Sequence, residues 1–296
     1  MPEPAAVPAD LDGRHVIALP RGTDVLALAT AWFPAARWSR EPGRAAAARP
    51  MAGARFRGMA VTTAPGPGLL DLDGAAEVVG PFPLAAAVAR AVGLPPRESD
   101  LYGVPVTGLG DVAAGWATAV ARRTGGAILP ADRSRALVPD PHASVDLTLW
   151  SPVPVPPRDA LPLLRPSLSG SRVGPVETAG RPDGPAEFSL TASYEYDGQV
   201  VVRCARSHEV PAVLSTLDWR AHGPWAYRVS WLPPDPVELE VEQPSQLHVI
   251  ARQRVTPGIC RVVATLWRTA GGTVVDAGGF VVTPEELDER VRTARR

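Results

Sequence analysis

The sequence predicts an α+β protein with mixed or antiparallel sheets and helices on one face, in two domains. Three observations carry this. Phe188 to Tyr196 and Gln199 to Arg206 read as two strands around Asp197-Gly198, which suits a tight hairpin turn. Apolar residues recur at helical spacing after Asp111 and again after Gly258, and each run ends at Gly-Gly followed by a short aliphatic stretch. The remaining elements are short and divided by Gly- and Pro-rich breakers, without the repeated βα units of a parallel sheet.

Taken in order, residues 1–14 are Pro- and Ala-rich and are expected to be a disordered N-terminal segment. An N-terminal α+β domain follows over 15–142. His15 to Leu19 is a strand ended by Pro20, and Asp24 to Phe33, apolar almost throughout, is read as a buried strand. Phe56 to Thr63 is extended, Leu69 to Val79 holds one or two short strands, and Pro83 to Val92 is a helix stopped by Gly93. From Asp111, positions Val112, Trp116, Ala119 and Val120 share one helical face, with Arg122 and Arg123 in the last turn where the macrodipole favours cations.

The C-terminal domain is expected over 143–296. Val145 to Trp150 reads as a strand, Arg158 to Leu164 as a helix, and 166–187 as a long Gly/Pro/Ser connection. After the hairpin, Val210 to Leu217 reads as a helix and Trp225 to Leu232 as a strictly alternating strand. That gives β-α-β-β-α-β over about 144–232, the order of a ferredoxin-like unit. A βαβ-like extension follows: a strand at Val237 to Val241, an ambiguous stretch from Leu247, a helix from about Gly258 to Ala270, a strand at Thr273 to Val275, and a terminal helix from Pro284.

Composition excludes several chemistries. The chain has no lysine and no asparagine, so all 30 basic side chains are arginine, a pattern of GC-rich coding. Without lysine there is no Walker A lysine, no kinase strand lysine and no Schiff-base lysine. Net charge is −1, which argues against a protein that coats nucleic acid. Two cysteines give neither a disulfide framework nor a thiol-rich metal site. Neither a signal peptide nor a membrane-length apolar run is visible, so the expected location is the cytoplasm.

The one stretch suggestive of a cofactor is Gly108-Leu109-Gly110, which opens the first amphipathic helix, with Asp132 at the end of the next strand. In a dinucleotide site the glycines admit the pyrophosphate and the acid binds the ribose. Pro105 in the preceding strand and Asp111 beside the phosphate position oppose this. Residues 117–131 also match 263–277 when Gly125 is placed on Gly271, which pairs Arg122 with Arg268 and Ile128 with Val274. The later copy lacks the Gly-x-Gly, so duplication favours a packing role for the Gly-Gly.

Weaker constellations are Cys204, His208, Glu209, Asp218 and His222 as metal-type donors, and Asp140-Pro141-His142 with Asp146 as an acid–base set. Neither has the spacing its chemistry needs, and no cofactor or metal is expected. The arginines at 37, 40, 44, 49, 55 and 57 are opposed only by Glu41 and read as a solvated loop or, less favourably, a phosphate or nucleic-acid contact. Trp225, Tyr227 and Trp231 share a strand face and are assigned to the core. The function expected is a non-catalytic binding, regulatory or structural module, with a protein partner or self-association open. A nucleotide-binding enzyme or sensor using Gly108 is the alternative.

Overall fold

The protein is described from a computed structural model covering residues 7–43, 66–106, 112–178, 187–241 and 243–293. It divides into two compact units, Met1–Pro141 and His142–Arg296. Both are α+β with antiparallel sheets.

The N-terminal unit runs β1 (Arg14–Pro20), α1 (Val25–Thr30), β2 (Arg37–Arg40), β3 (Gly68–Asp71), β4 (Glu77–Leu84), α2 (Ala86–Ala91), β5 (Ser99–Pro105), α3 (Val112–Thr124) and β6 (Ala127–Leu129). The sheet order is β2-β3-β4-β5-β1-β6. Val16, Ala18, Val79, Phe82, Leu84, Leu101 and Leu129 form one apolar layer with Leu11 and with Ala89 of α2. The alternate residues of β1, Ile17 and Leu19, are fully buried on the other side.

Two expectations fail here. Asp24 to Phe33 is not extended, and its centre, Val25–Thr30, is an α-helix: the Asp24 carboxylate accepts from the Ala27 N–H at 3.0 Å, and the run behind that cap is rich in the helix formers Leu and Ala. The aromatic end of the run then meets α3, with Phe33 edge-on to Trp116 and the Trp116 indole N–H donating to the Leu28 carbonyl at 3.1 Å. The segment 1–14 is ordered in its second half, where Ala9–Leu11 form a 3₁₀ turn and Leu11 is completely buried. The extended stretch read at 56–63 lies outside the described residues.

The C-terminal unit runs β7 (Leu147–Ser151), α4 (Pro157–Leu164), β8 (Arg172–Val173), β9 (Glu177–Thr178), β10 (Phe188–Tyr194), β11 (Gly198–Arg206), β12 (Trp225–Leu232), α5 (Gln246–Ala270), β13 (Thr273–Asp276), β14 (Val281–Val282) and α6 (Pro284–Thr293). The order is β14-β13-β7-β12-β11-β10-β8, with β9 also on β10. Residues from α4, α5 and α6 pack with Leu149, Val200, Val202, Cys204, Tyr227, Val229 and Trp231 in one core, so those aromatics are core residues.

The ferredoxin-like arrangement does not form over 144–232. There β10, β11 and β12 are a consecutive antiparallel meander, and β7 adds to β12. Val210 to Leu217 is not an α-helix: Pro211 opens a single 3₁₀ turn, Ala212–Leu214, and a second turn follows at Trp219–Ala221. Val237 to Val241 is a 3₁₀ turn, Pro236–Leu239, because Asp235 caps the Val237 N–H and Glu238 accepts from the Ser245 N–H. The hairpin turn is one residue longer than expected, since Tyr194 pairs with Gly198, and Gly198 carries the positive φ of 81°. The ambiguous stretch from Leu247 belongs to a single 25-residue helix that starts at a Ser245 cap and carries Pro257 inside it.

The two units share a topology. In each, the first strand lies between two others and is antiparallel to both: β1 between β5 and β6, β7 between β12 and β13. In each, the long helix joins those two outer strands, a split βαβ. Registers agree residue by residue. Ala18 pairs with Leu101 and Ala127, and Trp150 pairs with Ala226 and Thr273. Those pairings bring Tyr102 into correspondence with Tyr227 and Pro20 with Pro152, and α1 and α4 each begin at the same offset after that proline.

The Gly-Gly pair has the same task in both units. Gly125 and Gly271 each leave their helix with φ of +65°, a left-handed exit. The next glycine passes against the first strand. A Cβ on Gly126 would lie 2.6 Å from the Ala18 carbonyl oxygen, and one on Gly272 would lie 2.0 Å from that of Trp150. Backbone contact, not ligand approach, explains the motif.

Candidate functional site

The first strand of each unit pairs with its two neighbours in the same register, so one cross-strand row can be compared between the units, although β4 carries a bulge between Val79 and Phe82 that β11 lacks. In the N-terminal unit it reads Leu69, Val79, Gly103, Val16, Leu129. This row is sealed. Leu11 lies over it so closely that a Cβ on Gly103 would come within 2.6 Å of the leucine methyl. The corresponding row of the C-terminal unit reads Ser189, Arg203, Arg228, Thr148, Val275. Both arginines are exposed, and Ser189 and Thr148 are half-buried.

Strand parity explains how the arginines come to face outward. Val200, Val202 and Cys204 point into the helical core, so Val201, Arg203 and Ala205 occupy the opposite face. Tyr227 and Val229 likewise point inward and leave Ala226 and Arg228 outside. The outer face next to the arginines is covered: Leu214 packs on Trp150 and Ala226 of the neighbouring row and on Val275 at the end of the arginine row. The cover stops there, and the row from Ser189 to Thr148 is left open.

Beside the arginines the surface is hollowed to about 410 Å³, with Glu177, Glu187, Ser189, Arg203, Arg206 and Arg228 in its lining. The Glu187 carboxylate accepts from the Arg206 backbone N–H at 3.2 Å. Glu177 on β9 stands opposite Ser189 and bounds the row at the edge of the sheet. The side chains of Arg203 and Arg228 make no ion pair or hydrogen bond with a described residue. Like charges directly opposite each other on neighbouring strands are destabilising.

Cys204 also borders the hollow, but its side chain belongs to the core, and burial pushes the thiol up to about 12. Tyr227, likewise raised by burial, uses its hydroxyl structurally: it donates to the Val153 carbonyl and accepts from the Val155 N–H.

The residues singled out by sequence are dispersed. Gly108 and Gly110 lie outside the described residues. Asp132 is exposed, and hydrogen bonds from Ser134 hold its carboxyl below the usual range, the backbone N–H of Ser134 donating at 3.0 Å. The strands on either side of the Gly108 turn are parallel but not neighbours, since β1 runs antiparallel between them. A dinucleotide crevice is built on an adjacent parallel pair.

Of the metal-type residues, Cys204 faces the core, His208 and Glu209 are exposed, His222 is buried, and Asp218 caps the turn at Trp219–Ala221. No group of three or more His, Cys, Asp or Glu residues placed to hold a metal occurs among the described residues. Asp140 precedes Pro141, the last residue of one unit, and His142 opens the other, while Asp146 accepts from the Trp231 N–H and is raised by burial. Of the arginine-rich stretch, Arg37 and Arg40 lie on β2, Arg37 within 3.6 Å of Asp71, and the positions from 44 to 57 lie outside the described residues.

Sequence reasoning missed Arg203 and Arg228 as a pair. Alternation alone puts each on an outward face, yet their adjacency depends on the register between β11 and β12, which local pattern does not encode. No helix among the described residues is long and apolar enough to cross a membrane. No family model matches the chain, and comparison with curated proteins and with solved structures gave no match.

Proposed function

We propose that the protein is a non-catalytic binding module whose recognition surface is the outer face of the C-terminal sheet. One observation carries this reading. The row that is apolar from Leu69 to Leu129 in the first unit carries in the second four consecutive donor side chains, Ser189, Arg203, Arg228 and Thr148, without a hydrogen-bonding partner among the described residues. The first unit shows what the fold alone requires at these positions, and the second departs from it where burial would otherwise add stability. Its side chains offer hydrogen bonding and charge, while the neighbouring thiol faces away and is held protonated by burial. Both cysteines are free, which fits a reducing compartment, and the cytoplasm is the location we assign.

The test is a fragment screen on the full chain with methyl-labelled protein. Binding should shift Val201, Ala205 and Ala226 on the outer face and leave Val200 and Val202 on the core face unmoved. Hits confined to other surfaces, or chemical conversion of a bound fragment, would overturn the reading.

A further inference from the structure

The geometry points to a small-molecule oxyanion, a phosphate or carboxylate group, as the ligand of the Arg203–Arg228 row. This inference rests on the binding face proposed above and names what it binds. Four consecutive side chains across the sheet, Ser189, Arg203, Arg228 and Thr148, are hydrogen-bond donors, and none has a hydrogen-bonding partner among the described residues. Opposed residues on neighbouring strands have Cβ atoms about 4.5–5.5 Å apart, so both guanidinium groups can reach one anion. A guanidinium presents a planar fork of N–H groups that matches two oxygens of a phosphate or carboxylate.

The unfavourable pairing of the two cations supports the same conclusion. A bound anion converts their repulsion into shared attraction, whereas the N-terminal unit, without cations in this row, has none to relieve. Glu177 stands two strands from Arg203, about 10 Å by strand spacing, and confines the anion to the β11–β12 side. Glu187 is engaged with the Arg206 N–H on the flank. The hollow of about 410 Å³ beside the arginines leaves room for a small-molecule anion.

The experiment titrates the full chain with inorganic phosphate and, separately, with succinate, by calorimetry at low and moderate salt. One-to-one binding that weakens with added salt is expected from at least one of them. Tighter phosphate binding identifies a phosphoryl ligand, and tighter succinate binding a carboxylate. Arg203→Gln and Arg228→Gln should each weaken binding about tenfold or more, and the double variant should abolish it. Without anion, each single variant should melt above the parent, because the repulsion is gone. Saturating anion should raise the melting temperature of the parent and leave the double variant unmoved.

No binding of either anion, or binding that survives in the double variant, overturns the inference. If neutral fragments still shift Val201 and Ala205 in that case, only the oxyanion falls and the binding face stands. If nothing shifts those methyls, both fall together.

Discussion

Replacing Gly272 by alanine puts a methyl group where the backbone leaves no room. The added Cβ would stand 2.0 Å from the Trp150 carbonyl oxygen, and the residue's φ of +108° is one that side chains rarely adopt. The backbone conformation alone costs about 1–3 kcal/mol. The contact is with main chain, so no rotamer change relieves it. β13 must move off β7, which weakens the pairing of Thr273–Asp276 with Leu147–Trp150, at about 1 kcal/mol for each hydrogen bond lost. A total near 3–5 kcal/mol follows, a large share of the roughly 5–15 kcal/mol that holds a domain folded.

The neighbouring glycine is the control. Gly271 has φ of +65° and open space where its Cβ would be, so Gly271→Ala should cost about 1–2 kcal/mol. Gly126→Ala isolates the clash, since Gly126 has no positive φ and meets the Ala18 carbonyl at 2.6 Å. Urea unfolding followed by far-UV circular dichroism and by tryptophan fluorescence measures all three. Equal, small losses for Gly271→Ala and Gly272→Ala would refute the argument that the second glycine is required by strand contact.

Three other outcomes are expected. Tyr227→Phe strands the Val155 N–H, which the tyrosine hydroxyl accepts at 2.6 Å, and should lower stability by about 1–3 kcal/mol in the same unfolding assay. Leu11→Ala removes the side chain that seals the N-terminal row and should cost about 2–5 kcal/mol, read as a lower urea midpoint. The thiols of Cys204 and Cys260 are pushed up to about 12 and about 11 by burial, so a chromogenic disulfide reagent at pH 8 should modify neither until the chain unfolds. Their contribution to stability is full below about pH 8.5, where an unfolded thiol is still protonated. It is lost as pH rises toward 11 and 12, because the unfolded chain ionises first. Cys204→Ala should flatten that alkaline decline in urea titrations at pH 8 to 10.

Local chemistry made much of the fold legible. The hairpin around Asp197, the alternation of Trp225 to Leu232, and the helix ended by Gly125 all rest on signals within a few residues. The failures share another cause. Asp24 to Phe33 is apolar on every side, so its periodicity was silent and a single capping carboxylate decided for helix. Val237 to Val241 alternates like a strand, yet caps from Asp235 and Glu238 turned it into a 3₁₀ segment and left Val237, Leu239 and Val241 exposed. The match between residues 117–131 and 263–277 pointed to a repeated unit, and the registers of the first strand of each unit with its two neighbours extend that match. The binding face was invisible for the reason that sheets are hard to read from sequence: Arg203 and Arg228 meet through pairing, not proximity in the chain.

The place of the first strand in each unit also governs assembly during synthesis. β1 is made early, but both of its partners come late: Ala18 waits for Leu101 on one side and for Ala127 on the other. β7 waits in the same way for β12 and then for β13. Until its first partner emerges the apolar central strand has two bare edges, and until the final strand of the unit emerges it still has one, the condition under which chains pair wrongly with one another. Closing loops of that span makes folding slow. A chain cut short before Ala127 or before Thr273 should therefore gather into aggregates, because it has lost the strand that completes the sheet.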